Sequence, residues 1–275
     1  MSRSEPTADW GDPHVLERSG SRVHYWIVGP TDGPVVAFTH GASVDHRMFE
    51  SQLSALVSAG YRMLAWDVRG HGRSKPIGDE FTIPAVTSDL LAILERLEVD
   101  EVTLVGHSFG GYVSQEIARR RPDRTNALVV VGATDGSHPP STLEHATLRL
   151  SPYLFRIWPD GHLRRVIAEN TAETDATREY AATRQLSKAE FLTVWKAVAT
   201  YFQSASDAPL RVPLLVVHGA EDSTGTVARD AAAWGEREPD CWYEAIPDAG
   251  HNANQDDPER FNAVLLEFLR EHVTP

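Results

Sequence analysis

Cysteine and long apolar runs are both scarce in this chain. Cys241 is the one cysteine among 275 residues, so a disulfide within the chain is excluded and we expect a reducing, cytoplasmic location. No stretch reaches about 18 consecutive apolar residues, and the N-terminal stretch carries no apolar segment of the signal-peptide kind. We therefore expect a protein that neither spans a membrane nor carries a secretion signal.

Basic residues are also in short supply. Lysine and arginine together number 26 against 39 aspartates and glutamates, which leaves a formal net charge of −13. This balance argues against nucleic acid or an anionic membrane surface as the main partner. Histidine pairs and cysteine clusters at metal-ligand spacing are missing, and so are glycine-rich nucleotide-binding loops. We therefore expect no metal and no cofactor.

What the chain does contain is an alternation of strand and helix patterns. A hairpin with its turn at Ser19-Gly20 comes first, and apolar runs without polar alternation follow, as in strands buried on both faces. Helical patterns separate these runs, which cover residues 34–40, 62–67, 101–106, 126–133, 212–219 and 241–250. The alternation predicts the α/β class, with a mostly parallel eight-stranded sheet and helices on both faces.

One segment departs from this alternation. Residues 135–209 show helical periodicity without a strand run, with a break at Pro159-Asp160-Gly161. Because a parallel crossover needs only one helix, the extra helices predict a cap over the carboxyl edge of the sheet. We therefore expect a core domain of residues 1–134 and 210–275 and a helical cap of residues 135–209. An ordinary helical lobe without a role in binding is the alternative.

The stretch LVGHSFGGY, residues 104–112, places a serine between two glycines where a buried strand turns into a helix. At such a corner the serine takes a strained backbone conformation that exposes its hydroxyl, and Gly106 and Gly110 let strand and helix cross closely. The N–H group of Phe109 then lies at the start of the helix, where it favours an oxyanion. This context predicts that Ser108 is a nucleophile.

A serine nucleophile needs a base, and the base needs an acid to orient it. Asp222 follows a buried strand and His251 follows the last strand, so both are expected at the sheet edge that carries Ser108. Asp135, which follows the strand next along from the serine, competes with Asp222 as the acid. The loop after the first buried strand is expected to supply the N–H of Ala42 as the second oxyanion donor.

Five landmarks occur in an order that resembles one known family. They are His40-Gly41-Ala42-Ser43, the stretch DVRGHGRS at 67–74, the serine corner, a strand ending in Gly-X-X-Asp at 219–222, and Gly250-His251. Over nearly the whole chain this order resembles the α/β-hydrolase family. The resemblance implies that fold, a triad of Ser108, His251 and Asp222 working through an acyl-enzyme, and an oxyanion hole of Ala42 and Phe109. It also favours Asp222 over Asp135 as the acid.

The loop HGASVDHRMFESQL, residues 40–53, is similar to that of enol-lactonases and small carboxylesterases in this family. The resemblance implies a small carboxylic ester or lactone with an apolar portion as substrate. Candidate substrate-binding residues are one loop serine and four aromatic cap residues: Ser43, Tyr153, Phe155, Trp158 and Trp195. A carbon–carbon bond hydrolase, a lyase, a cofactor-free oxygenase, a biosynthetic cyclase and a ligand-binding receptor stay open, as does the oligomeric state.

Overall fold

Eight strands form one sheet in the computed structural model, which describes residues 9–274 apart from 139–140, 172, 184–185, 203–207 and 239. The strands are β1 (His14–Arg18), β2 (Ser21–Val28), β3 (Val35–Thr39), β4 (Arg62–Trp66), β5 (Val102–His107), β6 (Thr125–Val131), β7 (Leu214–Gly219) and β8 (Cys241–Ile246). Their order across the sheet is β1-β2-β4-β3-β5-β6-β7-β8. β1 and β2 form an antiparallel hairpin, β2 pairs antiparallel with β4, and β3 to β8 are parallel. The predicted fold class is confirmed.

The central strands are apolar throughout because both faces of the sheet are covered. Along β6, Leu128 and Val130 belong to one buried cluster, and Val129 and Val131 belong to the other. Side chains alternate between the two faces of a strand, so a strand packed on both sides needs an apolar residue at every position. This is why the strand runs in the sequence lack polar alternation.

In the part of the chain that the structure describes, six α-helices cover the two faces outside the segment between β6 and β7. They are α1 (Glu50–Ser58), α2 (Ile83–Arg96), α3 (Phe109–Arg120), α8 (Val227–Arg237), α9 (Ala253–Asp256) and α10 (Pro258–His272). Apolar side chains of α2, α3 and α8 pack with Leu128 and Val130, while those of α1 and α10 pack with Val129 and Val131. Burial of each such aliphatic side chain stabilises the fold by about 1.5–3 kcal/mol.

Among the described residues between β6 and β7, four helices are called here the helical insertion: α4 (Thr142–Ile157), α5 (Asp160–Thr171), α6 (Asp175–Thr183) and α7 (Lys188–Tyr201). Capping boxes, Ser141 with Glu144 and Ser187 with Glu190, begin α4 and α7 by satisfying free N–H groups of the first turn. Within the described residues, no helix combines the length and apolar character needed to cross a membrane.

Candidate active site

Ser108 stands at a sharp corner between β5 and α3. Its backbone has φ of 51° and ψ of −114°, outside the regions that non-glycine residues favour, so the turn is strained. The main chain holds this conformation from both sides. The Ser108 N–H donates to the carbonyl of Val131 at 2.8 Å, and its own carbonyl accepts from the N–H of Gly111 at 2.9 Å. Neighbouring strand and helix therefore determine where the serine lies.

The two glycines that flank Ser108 allow the close crossing that the sequence indicates. A Cβ atom at Gly106 would overlap the carbonyl oxygen of Gly110, and a Cβ atom at Gly110 would overlap the carbonyl oxygen of Thr39 in β3. Helix α3 therefore lies almost against the backbone of β5 and β3. A side chain at either glycine would force helix and sheet apart and displace the serine between them.

Asp222 and His251 meet at the same edge of the sheet, in the loops after β7 and β8. Nδ1 of His251 donates to Oδ2 of Asp222 at 2.8 Å, and both side chains are buried. The N–H of Glu221 donates to the carbonyl of Ala249 at 2.9 Å, which joins the two loops directly. Because the carboxylate is an acceptor, the ring proton lies on Nδ1 and Nε2 is left as an acceptor.

The pKa of Asp222 reflects two opposing effects. Burial raises the pKa of this carboxyl, but the charge and hydrogen bond of His251 and the N–H of Thr224 outweigh burial, so the pKa is lowered from its ordinary value. The Thr224 N–H donates to Oδ1 at 2.8 Å. Asp222 is therefore ionised at neutral pH.

Asp135, the competing acid, has other partners. Its carboxylate accepts from Arg119 at 2.7 Å and from Arg237 at 2.6 Å, and it also contacts His138 at 2.7 Å. These bonds fix the loop after β6 to α3 and α8. The structure therefore pairs His251 with Asp222, whereas the buried carboxylate of Asp135 forms ion pairs with Arg119 and Arg237.

His107, the residue before Ser108, links the serine corner to His251. Its Nε2 lies 3.0 Å from the carbonyl oxygen of His251, and a carbonyl oxygen can only accept, so Nε2 carries the proton. Burial and then the charge of His251 lower the pKa of His107 to about 3. His107 is therefore neutral at physiological pH, and its Nδ1 carries no proton and can only accept a hydrogen bond.

The loop after β3 carries Ala42 and Ser43 and is held by a buried histidine. Nε2 of His40 accepts from the N–H of Val68 at 3.0 Å, so its Nδ1 is the donor to the carbonyl of Gly41 at 2.7 Å. Burial lowers the pKa of His40, which keeps this ring neutral. The loop bearing Ala42 is thus braced against the chain that follows β4.

One cavity of about 160 Å³ brings most of these residues together. From the core it is lined by Ala42, Ser43, Val44, His107, Ser108, Thr224, His251 and Asn252. From the helical insertion it is lined by Phe155, Leu163, Val166, Ile167, Asn170, Ala181, Phe191 and Trp195. The Phe109 side chain is buried, and its backbone N–H is the first of helix α3. The N–H groups of a helix's first turn have no partner within the helix.

Two of the candidate substrate-binding residues lie outside the lining of this cavity. Tyr153 is 70% exposed, since it lies two residues, or about 200°, around α4 from the inward-facing Phe155. Trp158 ends α4 in an extended conformation and stands beside Phe155 rather than in the cavity lining. The structure thus places Tyr153 and Trp158 away from the cavity, whereas Ser43, Phe155 and Trp195 line it.

The sequence analysis missed further lining residues, although a signal for them was present. Phe191 precedes Trp195 by one helical turn, and the two rings stack with centroids 5.8 Å apart. In α5 the lining residues recur at the helical spacing i, i+3, i+4 and i+7, and they are Leu163, Val166, Ile167 and Asn170. The spacing identifies a buried face without telling which cavity it faces.

Asp256, also missed, connects the helical insertion to the loop of His251. Its carboxylate accepts from the N–H of Gly250 at 3.0 Å, immediately before His251. The same carboxylate accepts from the N–H of Glu173 at 3.2 Å, the N–H of Thr174 at 3.4 Å and the hydroxyl of Thr177 at 2.8 Å. One side chain thus holds the α5–α6 turn and the histidine loop together.

Comparison with known proteins agrees with this geometry. A model of the alpha/beta hydrolase family matches residues 36–264, which cover most of the chain and all of the site. The chain belongs to the alpha/beta hydrolase family. This α/β hydrolase also shares its fold with a thermophilic esterase from Thermogutta terrifontis, at a TM-score of 0.78 and 23% identity over 96% of this chain and 100% of that one.

Curated relatives of this α/β hydrolase carry names from several chemistries. It is 28% identical to the non-heme chloroperoxidase CPO-A1 of Kitasatospora aureofaciens, over 94% of this chain and 99% of that one. It is 24% identical to 3-oxoadipate enol-lactonase 1 of Acinetobacter baylyi, over 93% and 96%. A relative at 37% identity is matched over 42% of its own length, so the chain spans less than half of it. The family is thus shared, while the reaction must be argued from the site.

Proposed function

We propose that this α/β hydrolase is a serine hydrolase that cleaves a small carboxylic ester or lactone through an acyl-enzyme. The observation that carries the proposal is the grouping of residues around one cavity. Ser108 lies at a strained strand–helix corner, and His251, held by Asp222, lies in the same lining. A nucleophile, a base with a free Nε2 and a buried acid are the three groups that acyl transfer needs.

In the proposed reaction, Nε2 of His251 takes the hydroxyl proton of Ser108 while Oγ forms a bond to the carbonyl carbon. The π electron pair moves onto the carbonyl oxygen, which accepts hydrogen bonds from the N–H groups of Phe109 and Ala42. Protonated His251 then gives its proton to the leaving oxygen, and Asp222 stabilises the imidazolium until it does. The ester bond to that oxygen breaks, and water, deprotonated by His251, then attacks the acyl carbon. The bond from this carbon to Oγ breaks, Ser108 takes the proton back from His251, and the acid is released.

The cavity supports a small, uncharged acyl group as the substrate portion bound there. Its volume of about 160 Å³ is close to that of an apolar protein cavity that holds benzene. Apolar side chains such as Phe155, Ile167 and Trp195 make up most of its wall. Among the described residues of the lining there is no lysine or arginine, so a substrate carboxylate would be buried there without a counter-charge.

We also propose that the helical insertion acts as the cap of this site. Half of the lining residues come from α4 to α7. In this division the core carries out the bond-making steps, and the insertion selects the acyl group by shape.

A covalent probe combined with a turnover panel tests the proposal. The protein is incubated with a fluorophosphonate, the labelled peptide is identified by mass spectrometry, and hydrolysis of nitrophenyl acetate, hexanoate and benzoate and of a small lactone is measured. We expect the label on Ser108 and turnover of at least one ester or lactone. Absence of a label on Ser108 would refute the nucleophile, and labelling without turnover of any substrate would favour a receptor or a non-hydrolytic catalyst.

A further inference from the structure

Ser43 has a hydroxyl group with no hydrogen-bond partner among the residues that the structure describes. The residue is 2% exposed and lies in the cavity lining with Ser108 and His251. Its backbone is in the left-handed region, with φ of 68°, which a serine adopts at a cost in strain. A buried, unpaired hydroxyl held by a strained backbone is unfavourable for folding, so a role toward a bound molecule would account for it.

Other unpaired hydroxyls in the described residues differ from Ser43 in their location. Thr87, Thr103 and Ser114 are buried and unpaired as well, but they lie outside the cavity lining. Ser43 is the residue of this group that belongs to the cavity lining together with Ser108. Among the described lining residues, Nδ1 of His107 is a further buried side-chain atom without a partner, but it is an acceptor and cannot stabilise a negative oxygen.

The loop that carries Ser43 lies directly over the serine corner. A Cβ atom at Gly41 would lie 2.5 Å from Nδ1 of His107 and 3.4 Å from Cβ of Ser108. Ala42, the next residue, is the proposed second oxyanion donor, and Ser43 follows it immediately. The hydroxyl therefore extends from the same loop as a donor already assigned to the oxyanion.

We propose that the Ser43 hydroxyl is a third donor to the oxyanion, beside the N–H groups of Ala42 and Phe109. This inference rests on the proposed acyl-transfer function. As the Ser108 Oγ–carbon bond forms, the π electron pair moves to the carbonyl oxygen, and the Ser43 O–H donates to that oxygen while keeping its own proton. The developing negative charge makes this hydrogen bond stronger in the transition state than in the bound substrate.

An effect confined to the transition state predicts a particular kinetic pattern. Loss of the hydroxyl should lower kcat roughly 10²-fold and leave KM nearly unchanged, and the factor should be the same for nitrophenyl acetate and hexanoate. Binding of a trifluoromethyl ketone, which forms an anionic adduct with Ser108, should weaken by the same factor. A hydroxyl that recognises a distant group of the substrate would instead raise KM for the substrates that carry that group.

The test uses two substitutions at Ser43 and one matched control. Ser43→Ala removes the hydroxyl and keeps the strained backbone, whereas Ser43→Gly removes the hydroxyl and relieves the strain. Ser114→Ala removes an unpaired buried hydroxyl outside the cavity. We expect equal losses of kcat in both Ser43 variants, although only Ser43→Gly relieves the backbone strain, and unchanged kcat in the Ser114 variant.

Two results would overturn the inference while leaving the hydrolase intact. One is a Ser43→Ala variant that keeps kcat within about threefold of the unsubstituted protein, since the loss of an oxyanion donor costs far more. The other is a kcat that falls in Ser43→Ala and recovers in Ser43→Gly, because strain rather than the hydroxyl would then be the cause. Absence of turnover in the unsubstituted protein would contradict the proposed function itself, and intact ketone binding in the Ser43 variants would then still refute the inference.

Discussion

The serine corner and helix α4 show how differently two parts of this protein are held. At the corner, the backbone of Ser108 is bonded to neighbouring strand and helix, and the flanking glycines leave no free space. Helix α4 instead turns an apolar outer face to solvent, where Leu143 and Ile157 are 79% and 77% exposed. Only its inner face, with Phe155, reaches the cavity.

This contrast suggests where variation is tolerated. The corner depends on backbone contacts that a change of side chain disrupts throughout the site, because helix and sheet meet there at van der Waals distance. The helical insertion contributes side chains that fill space, so its changes should alter which acyl groups fit. The predictions that follow test this division, beginning with the largest effect.

Removal of the proposed nucleophile should abolish turnover. We expect Ser108→Ala to lower kcat roughly 10⁴- to 10⁶-fold, the loss typical of triad substitutions in serine hydrolases, while the fold is kept. Steady-state hydrolysis of nitrophenyl acetate and a thermal melt are the measurements. Turnover within about tenfold of the unsubstituted protein would rule out this serine as the nucleophile.

Replacing each candidate acid by asparagine should show which of the two aspartates, Asp222 or Asp135, supports turnover. Asp222→Asn should lower kcat about 10⁴-fold, because an amide in place of the carboxylate favours the wrong tautomer of His251. Asp135→Asn is the matched control, and it should lower the melting temperature through its broken ion pairs with a much smaller loss of kcat. The opposite ranking would transfer the role of acid to Asp135.

Substitution in the helical insertion should change selectivity rather than chemistry. Phe155→Ala should alter kcat/KM for hexanoate and benzoate by roughly 10- to 200-fold and leave acetate nearly unaffected, because only the larger groups reach this ring. Tyr153→Ala, on the exposed face of the same helix, is the control. Equal losses for all three esters in a stable Phe155 variant would mean that the insertion supports the triad and does not select.

Removing the carboxylate of Asp256, which joins the core to the insertion, should lower kcat. Asp256→Ala frees the N–H groups of Gly250, Glu173 and Thr174, so we expect kcat for acetate and hexanoate to fall about tenfold together, since His251 is less well positioned. Asp257→Ala is the control, because Asp257 caps α10 and has no bond of this kind to the insertion among those described. Unchanged kcat for both esters in Asp256→Ala would show that the two parts are not coupled through this residue.

Buried histidines of the core should make stability depend on pH. Burial, with a neighbouring histidine, lowers the pKa of His71 and of His107 to about 3. Between this value and the unfolded pKa of about 6.5, the unfolded chain binds protons that the folded protein does not. Stability is therefore full above about pH 6.5 and should fall by about 1.4 kcal/mol per pH unit for each histidine as the pH is lowered.

Urea unfolding at about pH 7, 6 and 5 measures this slope. His71→Gln should reduce the slope by about one proton, and His162→Gln, on the exposed surface of α5, is the control that should not. An identical slope in the unsubstituted protein and in His71→Gln would contradict a buried, neutral His71.

Local patterns explain which parts of the site could be predicted. The serine corner is coded within residues 104–112, because glycine spacing and the strand-to-helix switch are local features. Asp222 and His251 could be predicted because both end parallel strands, and parallel strands share one edge. The fold class followed from the same alternation of buried strands and helices.

Other features depend on tertiary packing and could not be predicted. The periodicity of α4 identifies two faces, but it does not tell that Phe155 faces the cavity and Tyr153 faces solvent. The role of Asp256 requires that the α5–α6 turn lie beside Gly250, two segments far apart in the chain. Nothing in the sequence around Asp256 indicates that neighbour.

The bonds of Asp256 have a consequence for how this protein can be diversified. Three of its four donors are main-chain N–H groups, at Glu173, Thr174 and Gly250, and every residue except proline carries that group. A library that varies the side chains of the insertion therefore leaves its attachment largely intact, provided that proline is kept out of positions 173 and 174. Variants with different acyl pockets can thus be made while the attachment of the insertion to the loop of His251 is kept.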